Sequence, residues 1–149
     1  MQPIALQIWR LFVLLIWGTW WGGLFFYALF VVPIGASEIG SVEQGFITQR
    51  VSAIHNRFSV ALLFCLAIES VRLTSIRLGL LTATISVNLG LLLYCHSHLT
   101  SMMKFVDRSV PSEFYFHHAI YLWLFAAEWL QGMIVPIVLF LPTLRKPSD

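Results

Sequence analysis

From Leu11 to Pro33 the chain runs without a charged residue, through LFVLLIWGTWWGGLFFYALFVVP. Coiled at 1.5 Å per residue, this stretch reaches about 35 Å, enough to cross the roughly 30 Å hydrocarbon core of a bilayer. Backbone placed in lipid must satisfy its N–H and C=O groups internally, and a helix does so. The run begins near the N-terminus and ends close to the small residues of IGAS, as an export signal would. It is longer than the ~7–15 apolar residues of a signal core, so it reads as a retained span from about Trp9 to Pro33, closed by Pro33 and Gly35.

The remainder is equally apolar. Of 149 residues, 58% are hydrophobic and 11% charged, which places the chain in a bilayer rather than among soluble domains. The second span is harder to draw, because only eleven residues separate Arg57 from Glu69 and a crossing helix needs more. Taken as residues 51–72, it extends backward through VSAIHNR as one helix whose first turns lie at or above the interface. That helix starts at Ser41, with Gln44 three positions on in the S-x-x-Q form of a capping box. A third span covers 78–97 after the short connection RLTSIR. The fourth covers 112–141, starting at Pro111 and Ser112, with a kink expected at Pro136.

The expected fold class is therefore all-α: a four-transmembrane-helix up-and-down bundle forming a single integral membrane domain over residues 1–149. An even number of crossings puts both termini on one side, with Arg10, Arg72, Arg77, Arg145 and Lys146, and leaves Arg50, Arg57, Lys104 and Arg108 on the other. The positive-inside rule then leans toward cytoplasmic termini, with a bacterial inner membrane as the expected setting. A net charge of +2, carried by singly scattered residues, offers no footprint for nucleic acid. Cys65 and Cys95, the only cysteines, fall at different depths and are not expected to pair.

Chemistry-bearing residues gather in YCHSHLTSMM, residues 94–103. The topology sends all five histidines, His55, His96, His98, His117 and His118, to one membrane face from three segments. His96 and His98 point about 200° apart on a helix and do not chelate together. Cys95, His98 and Met102 are spaced i, i+3, i+7 on one face, and His55 or His118 supplies a further ligand. Thiolate, imidazole and thioether together suit copper or a haem iron such as haem b, with His55, His117 and His118 as the cofactor-binding candidates. The plainer reading is that histidine belongs at interfaces and that a stripe of Met and Cys is ordinary packing.

Glu128, in FAAEWLQG, falls near mid-membrane, where a charged residue costs about 2.5–3.5 kcal/mol on insertion scales. It must face the bundle interior and be either neutral or partnered. Asn88 is its obvious polar neighbour, with Gln131 and Thr19 as others, so Glu128 and Asn88 suggest a small transporter or proton-coupled protein. The alternative is a plain interhelical hydrogen bond. Gly18, Gly22 and Gly23 form a small-residue seam suited to close helix packing, in this chain or against a membrane-protein partner or a second copy. No G-x-x-x-x-G-K, G-x-S-x-G, H-E-x-x-H or C-x-x-C motif occurs, so no enzymatic reaction is assigned.

The block WGTWWGGLFFYALFVVPIGASEIG resembles the first span of the four-span membrane family grouped as domain of unknown function 4149. That family is similar in outline to copper-resistance D and transmembrane-protein-205 type proteins. Asn88 in SVNLGLLLY, the LTSMM segment and FYFHHAIYLW resemble the family's third-span asparagine, its methionine turn and a histidine opening the fourth span. His118, or His117 beside it, matches that histidine. The resemblance implies the four-helix fold and assigns no reaction.

Overall fold

A computed structural model describes residues 3–144, which form four long helices. Helix α1 spans Ile4–Ile39, α2 Ser41–Arg72, α3 Ile76–Met102 and α4 Phe114–Leu144. All four are long and apolar enough to cross a membrane. Many large apolar side chains on their outer faces are exposed, a surface that suits lipid and not water. The bundle has a terminal end, carrying the start of α1 and the α2–α3 turn, and an opposite end where the α1–α2 and α3–α4 connections lie. The latter is called here the histidine end. Arg145 and Lys146, assigned above to the terminal side, lie outside the described residues.

Three boundaries differ from the sequence expectation. First, α1 does not stop at Pro33 and Gly35. A π-helical turn at Tyr27–Val31 comes directly before the proline, and the Val32 N–H reaches back to the Tyr27 carbonyl. Such a turn loosens the backbone where a proline removes a donor and crowds the preceding turn. The helix ends instead at Gly40, whose φ of +89° breaks it sharply.

Second, the capping box does not form. Gly40 occupies the cap position of α2 without a side-chain bond, and Ser41 is its first helical residue. Gln44 turns into the bundle because Gly35 leaves it room: a Cβ at residue 35 would sit 1.8 Å from Gln44 Oε1. Third, α3 continues past residue 97 to Met102, so that His98 and Met102 are helical. At its start the Ser75 hydroxyl accepts from the Leu78 N–H, a regular N-cap. Helix α4 runs unbroken through Pro136.

Consecutive helices pack side by side, α1 on α2, α2 on α3 and α3 on α4. Their shared core holds Trp20, Leu62, Leu66, Leu78, Ile85 and Val135. The remaining seam, α1 against α4, is closed over part of its length by tryptophans. Trp17 Nε1 donates to the Gly132 carbonyl at 2.9 Å and Trp21 Nε1 to the Trp129 carbonyl at 3.0 Å. The Trp21 and Trp129 rings stack at 5.5 Å. From Tyr27 to Ile39, α1 packs on α2 and makes no helix contact with α4.

The glycine seam is not what brings the helices together. A Cβ placed at Gly18, Gly22 or Gly23 meets nothing within 4 Å, whereas one at Gly132 lies 2.4 Å from Trp21 Cδ1 and 2.8 Å from Trp20 Cζ3. At the terminal end Glu69 is 3% exposed. It does not reach for the interface: it accepts from Trp9 Nε1 and pairs with Arg72 at 3.1 Å.

Gly132→Ala is therefore expected to destabilise the bundle by about 1–3 kcal/mol through overpacking against rigid indoles. Gly18→Ala is expected to leave stability within about 0.5 kcal/mol of wild type. Reversible unfolding of the detergent-solubilised protein measures both, and equal effects would contradict the tryptophan seam.

Candidate functional site

The inward stripe of α2 decides where polar chemistry sits. At helical spacing, residues 44, 48, 52, 55, 56 and 59 are Gln, Thr, Ser, His, Asn and Ser; residues 62 and 66 are both Leu. The half of α2 toward the histidine end thus presents hydrogen-bonding groups to the bundle, and the other half presents Leu62 and Leu66 before the buried Glu69.

Where the polar stripe ends, it meets Glu128. The carboxyl is fully buried, and its Oε1 accepts from the Ser59 hydroxyl at 2.9 Å. That hydroxyl in turn accepts from Trp20 Nε1 at 2.7 Å. On the other side of the carboxyl, Oε2 faces His55 Nε2 at 3.8 Å, and neither atom has a hydrogen-bond partner. The imidazole is held on both faces: it stacks on Trp20 at 5.9 Å and meets the edge of Phe125 at 5.6 Å. Asn88 does not bond Glu128 but donates from Nδ2 to the Leu124 carbonyl at 3.1 Å, one turn away on α4. Asn88 thereby fixes α3 against the segment carrying Glu128, and Gln131 Oε1 is buried nearby in sequence without a partner.

Between the pair and the histidine end lies a cavity of about 350 Å³. It occupies the space where α1 and α4 do not touch. One wall is the α1 segment with Tyr27, Ala28 and Val32; the facing wall is α4 from Phe114 to Phe125; the polar stripe of α2 and the end of α3 complete it. Several of its polar groups are already engaged. Gln44 Nε2 donates to the Tyr27 and Thr48 oxygens, and Gln49 Nε2 donates to Thr100. The His96 ring bonds the Gln49 carbonyl at 3.0 Å. The hydroxyls of Ser41, Ser52, Tyr115 and Tyr121 and the His118 ring also line it; the Tyr121 hydroxyl lies beside Ser52, and His118 stacks on Phe114 at 5.6 Å.

The five histidines do share the half of the bundle toward one end, but they do not converge. His55 lies fourteen residues into α2, about 21 Å from its start at Ser41. His98 is exposed, stacks on Tyr94 at 6.5 Å and meets the edge of His117 at 4.6 Å. Cys95 instead packs inward with Leu92, Leu99 and Tyr121, and Met102 is half-buried on the last turn of α3. Among the described residues no three His, Cys, Asp or Glu side chains are grouped so as to hold a metal ion. Cys65 is buried and, like Cys95, free.

Sequence reasoning overlooked Ser59, Trp20 and Tyr121. The signal for Ser59 was present: Ser52, His55, Asn56 and Ser59 recur at i, i+3, i+4, i+7, a polar face on a helix in lipid. No family model matches the chain, and no curated protein or solved structure is significantly similar to it. The resemblance drawn from the WGTWWGGLFF block, Asn88, LTSMM and FYFHHAIYLW stands on those residues alone.

Ser59→Ala is expected to cost about 1–3 kcal/mol, because it strips a partner from Trp20 and from Glu128 at once. Combined with Trp20→Phe, the loss should be clearly less than additive. Unfolding of the two single variants and the double variant measures this, and strict additivity would break the proposed chain of bonds.

Proposed function

We propose that this is a small proton-coupled membrane protein, a carrier or transporter component, in which the Glu128–His55 pair exchanges a proton under the control of the cavity beside it. The observation that carries this reading is the pair itself: a carboxyl oxygen and an imidazole nitrogen facing each other at 3.8 Å, both buried and both without a hydrogen bond. Ionisable groups inside a membrane bundle are expensive to keep, and those with an open valence mark proton or ion pathways more readily than plain packing does.

The physics of the pair favours states with zero net charge. One proton shared between carboxyl and imidazole gives either a neutral pair or an ion pair, and low dielectric penalises gaining or losing a second charge. Neither His55 nor Glu128 lines the cavity, but Phe125 does and it meets His55, so an occupant that displaces Phe125 bears on the pair and couples occupancy to proton exchange. A contiguous column links them: Tyr121 stacks on Phe125 at 5.6 Å, Phe125 meets His55, and His55 lies on Trp20.

The copper or haem reading of Cys95, His98, Met102 and His118 is less well supported, because those side chains face different surroundings. Within the proton-coupled reading Glu128 is the proton-carrying group, His55 its partner, and Asn88 and Ser59 position them.

Proteoliposomes carrying an internal pH-sensitive dye test the proposal under an imposed pH gradient. Wild-type protein should pass protons above the rate of protein-free vesicles, and Glu128→Gln should fall to that rate while keeping its thermal stability within about 1 kcal/mol, since the amide still accepts from Ser59. A wild type indistinguishable from empty vesicles, or a folded Glu128→Gln variant as active as wild type, would sink the proposal.

A further inference from the structure

The cavity itself has a chemistry that narrows its occupant. Its lining contains no Lys, Arg, Asp or Glu; apart from histidine, every polar group in it is a neutral hydroxyl or amide. A buried site of this kind strongly disfavours an ionised headgroup, because nothing present neutralises the charge. At about 350 Å³ it is at the small end of small-molecule sites, which run from roughly 300 to 1,000 Å³. It holds a compact head and the first carbons of one tail, not a two-tailed lipid.

The gap between α1 and α4 supplies the way in. Above the tryptophan seam the two helix backbones draw apart, and Tyr115 and Leu122, which line the cavity from α4, are exposed and greasy. That composition is what faces lipid, so the cavity communicates sideways with the bilayer. Tyr121 lines the cavity but is only 6% exposed, and its hydroxyl lies beside Ser52, closed off from the open space.

We infer that the cavity binds a neutral, single-tailed amphiphile with a hydroxyl or carbonyl head, drawn laterally from the bilayer between α1 and α4, its head among the uncharged polar groups of the lining and its tail leaving through the gap. This rests on the cavity being a binding chamber, as in the function proposed above, but not on proton exchange by Glu128.

Binding of radiolabelled farnesol and of farnesyl phosphate to the protein in nanodiscs tests it. Farnesol should bind saturably, and the phosphate about 100-fold or more weaker. Ala28→Trp, which fills the chamber, should abolish farnesol binding. Bridging Ala28→Cys to Leu122→Cys with a bismaleimide, in a Cys65→Ala, Cys95→Ser background, should block exchange of farnesol. Absence of saturable farnesol binding, equal binding of the phosphate, or wild-type affinity in Ala28→Trp would overturn the inference. Unchanged exchange after bridging would overturn the lateral route. Farnesol binding should persist in Glu128→Gln; if farnesol binding fails while Glu128-dependent proton flux remains, only the ligand assignment falls.

Discussion

A chain of four helices joined by short connections packs each helix on the next, and the contact left to be made is the one between the first helix and the last. Here that closure is done by indoles. Trp17 and Trp21 reach from α1 to backbone carbonyls of α4, and Gly132 is the concession on α4 that lets the rings approach. A carbonyl inside a helix already accepts one bond and has a lone pair to spare, so the seam is closed without breaking either helix. Everything distinctive about the molecule follows from where this closure stops. Below it the core is hydrocarbon; above it the helices part, and the space between them is the cavity.

Polar groups are distributed to match. Lipid offers no hydrogen bonds, so a polar side chain on a spanning helix must face inward and find a partner or a cavity. The polar half of α2 does both. Gln44 and Thr48 bond Tyr27 and each other, Gln49 bonds Thr100, and Ser59 bridges Trp20 to Glu128. Among the described residues the buried polar atoms left over are His55 Nε2, Glu128 Oε2, the Tyr121 hydroxyl, Asn56 Oδ1 and Gln131 Oε1; the first three lie along the column that runs from the cavity to the centre of the bundle. At the other end Glu69 is held by Trp9 and Arg72 and has no such vacancy. Two buried carboxyls in one bundle thus differ in kind, one neutralised beside a guanidinium, the other poised against an imidazole.

The sequence made the crossings legible because charge-free length is a direct readout of bilayer thickness, and it placed Glu128 in the interior because lipid leaves a carboxyl nowhere else to go. Helix ends were less legible. Pro33 looked like a stop, yet a π turn absorbed it, and Gly40 did the breaking. His55 was assigned to the membrane face because it falls near the start of the expected 51–72 span; counted from Ser41, where the helix begins as expected, it lies about 21 Å along and faces Glu128. The glycines misled for another reason. Gly18, Gly22 and Gly23 have the right spacing for close packing, but which side of a helix faces its neighbour is set by the bulky residues, and Trp17, Trp20 and Trp21 claimed the interior. A single glycine at 132, with no repeat to announce it, turned out to be the close approach.

The arrangement of α4 ties these levels together. Tyr121, Phe125 and Glu128 recur at i, i+4 and i+7 and so share one face, which spans from the open chamber to the closed core within two turns, about 10 Å. Phe125 sits between the two polar groups and touches His55. Any displacement of Tyr121 by an occupant therefore bears on Phe125, and through it on the imidazole whose distance from Glu128 fixes the electrostatics of the pair. At 3.8 Å the two are too far apart for a hydrogen bond yet near enough that closing the gap would create one. A bundle closed by tryptophans along its whole length would have had no chamber to sense, and one left open throughout would have flooded the carboxyl with water. The half-closed seam is the geometry in which a buried acid–base pair remains dry but answerable to what lies beside it.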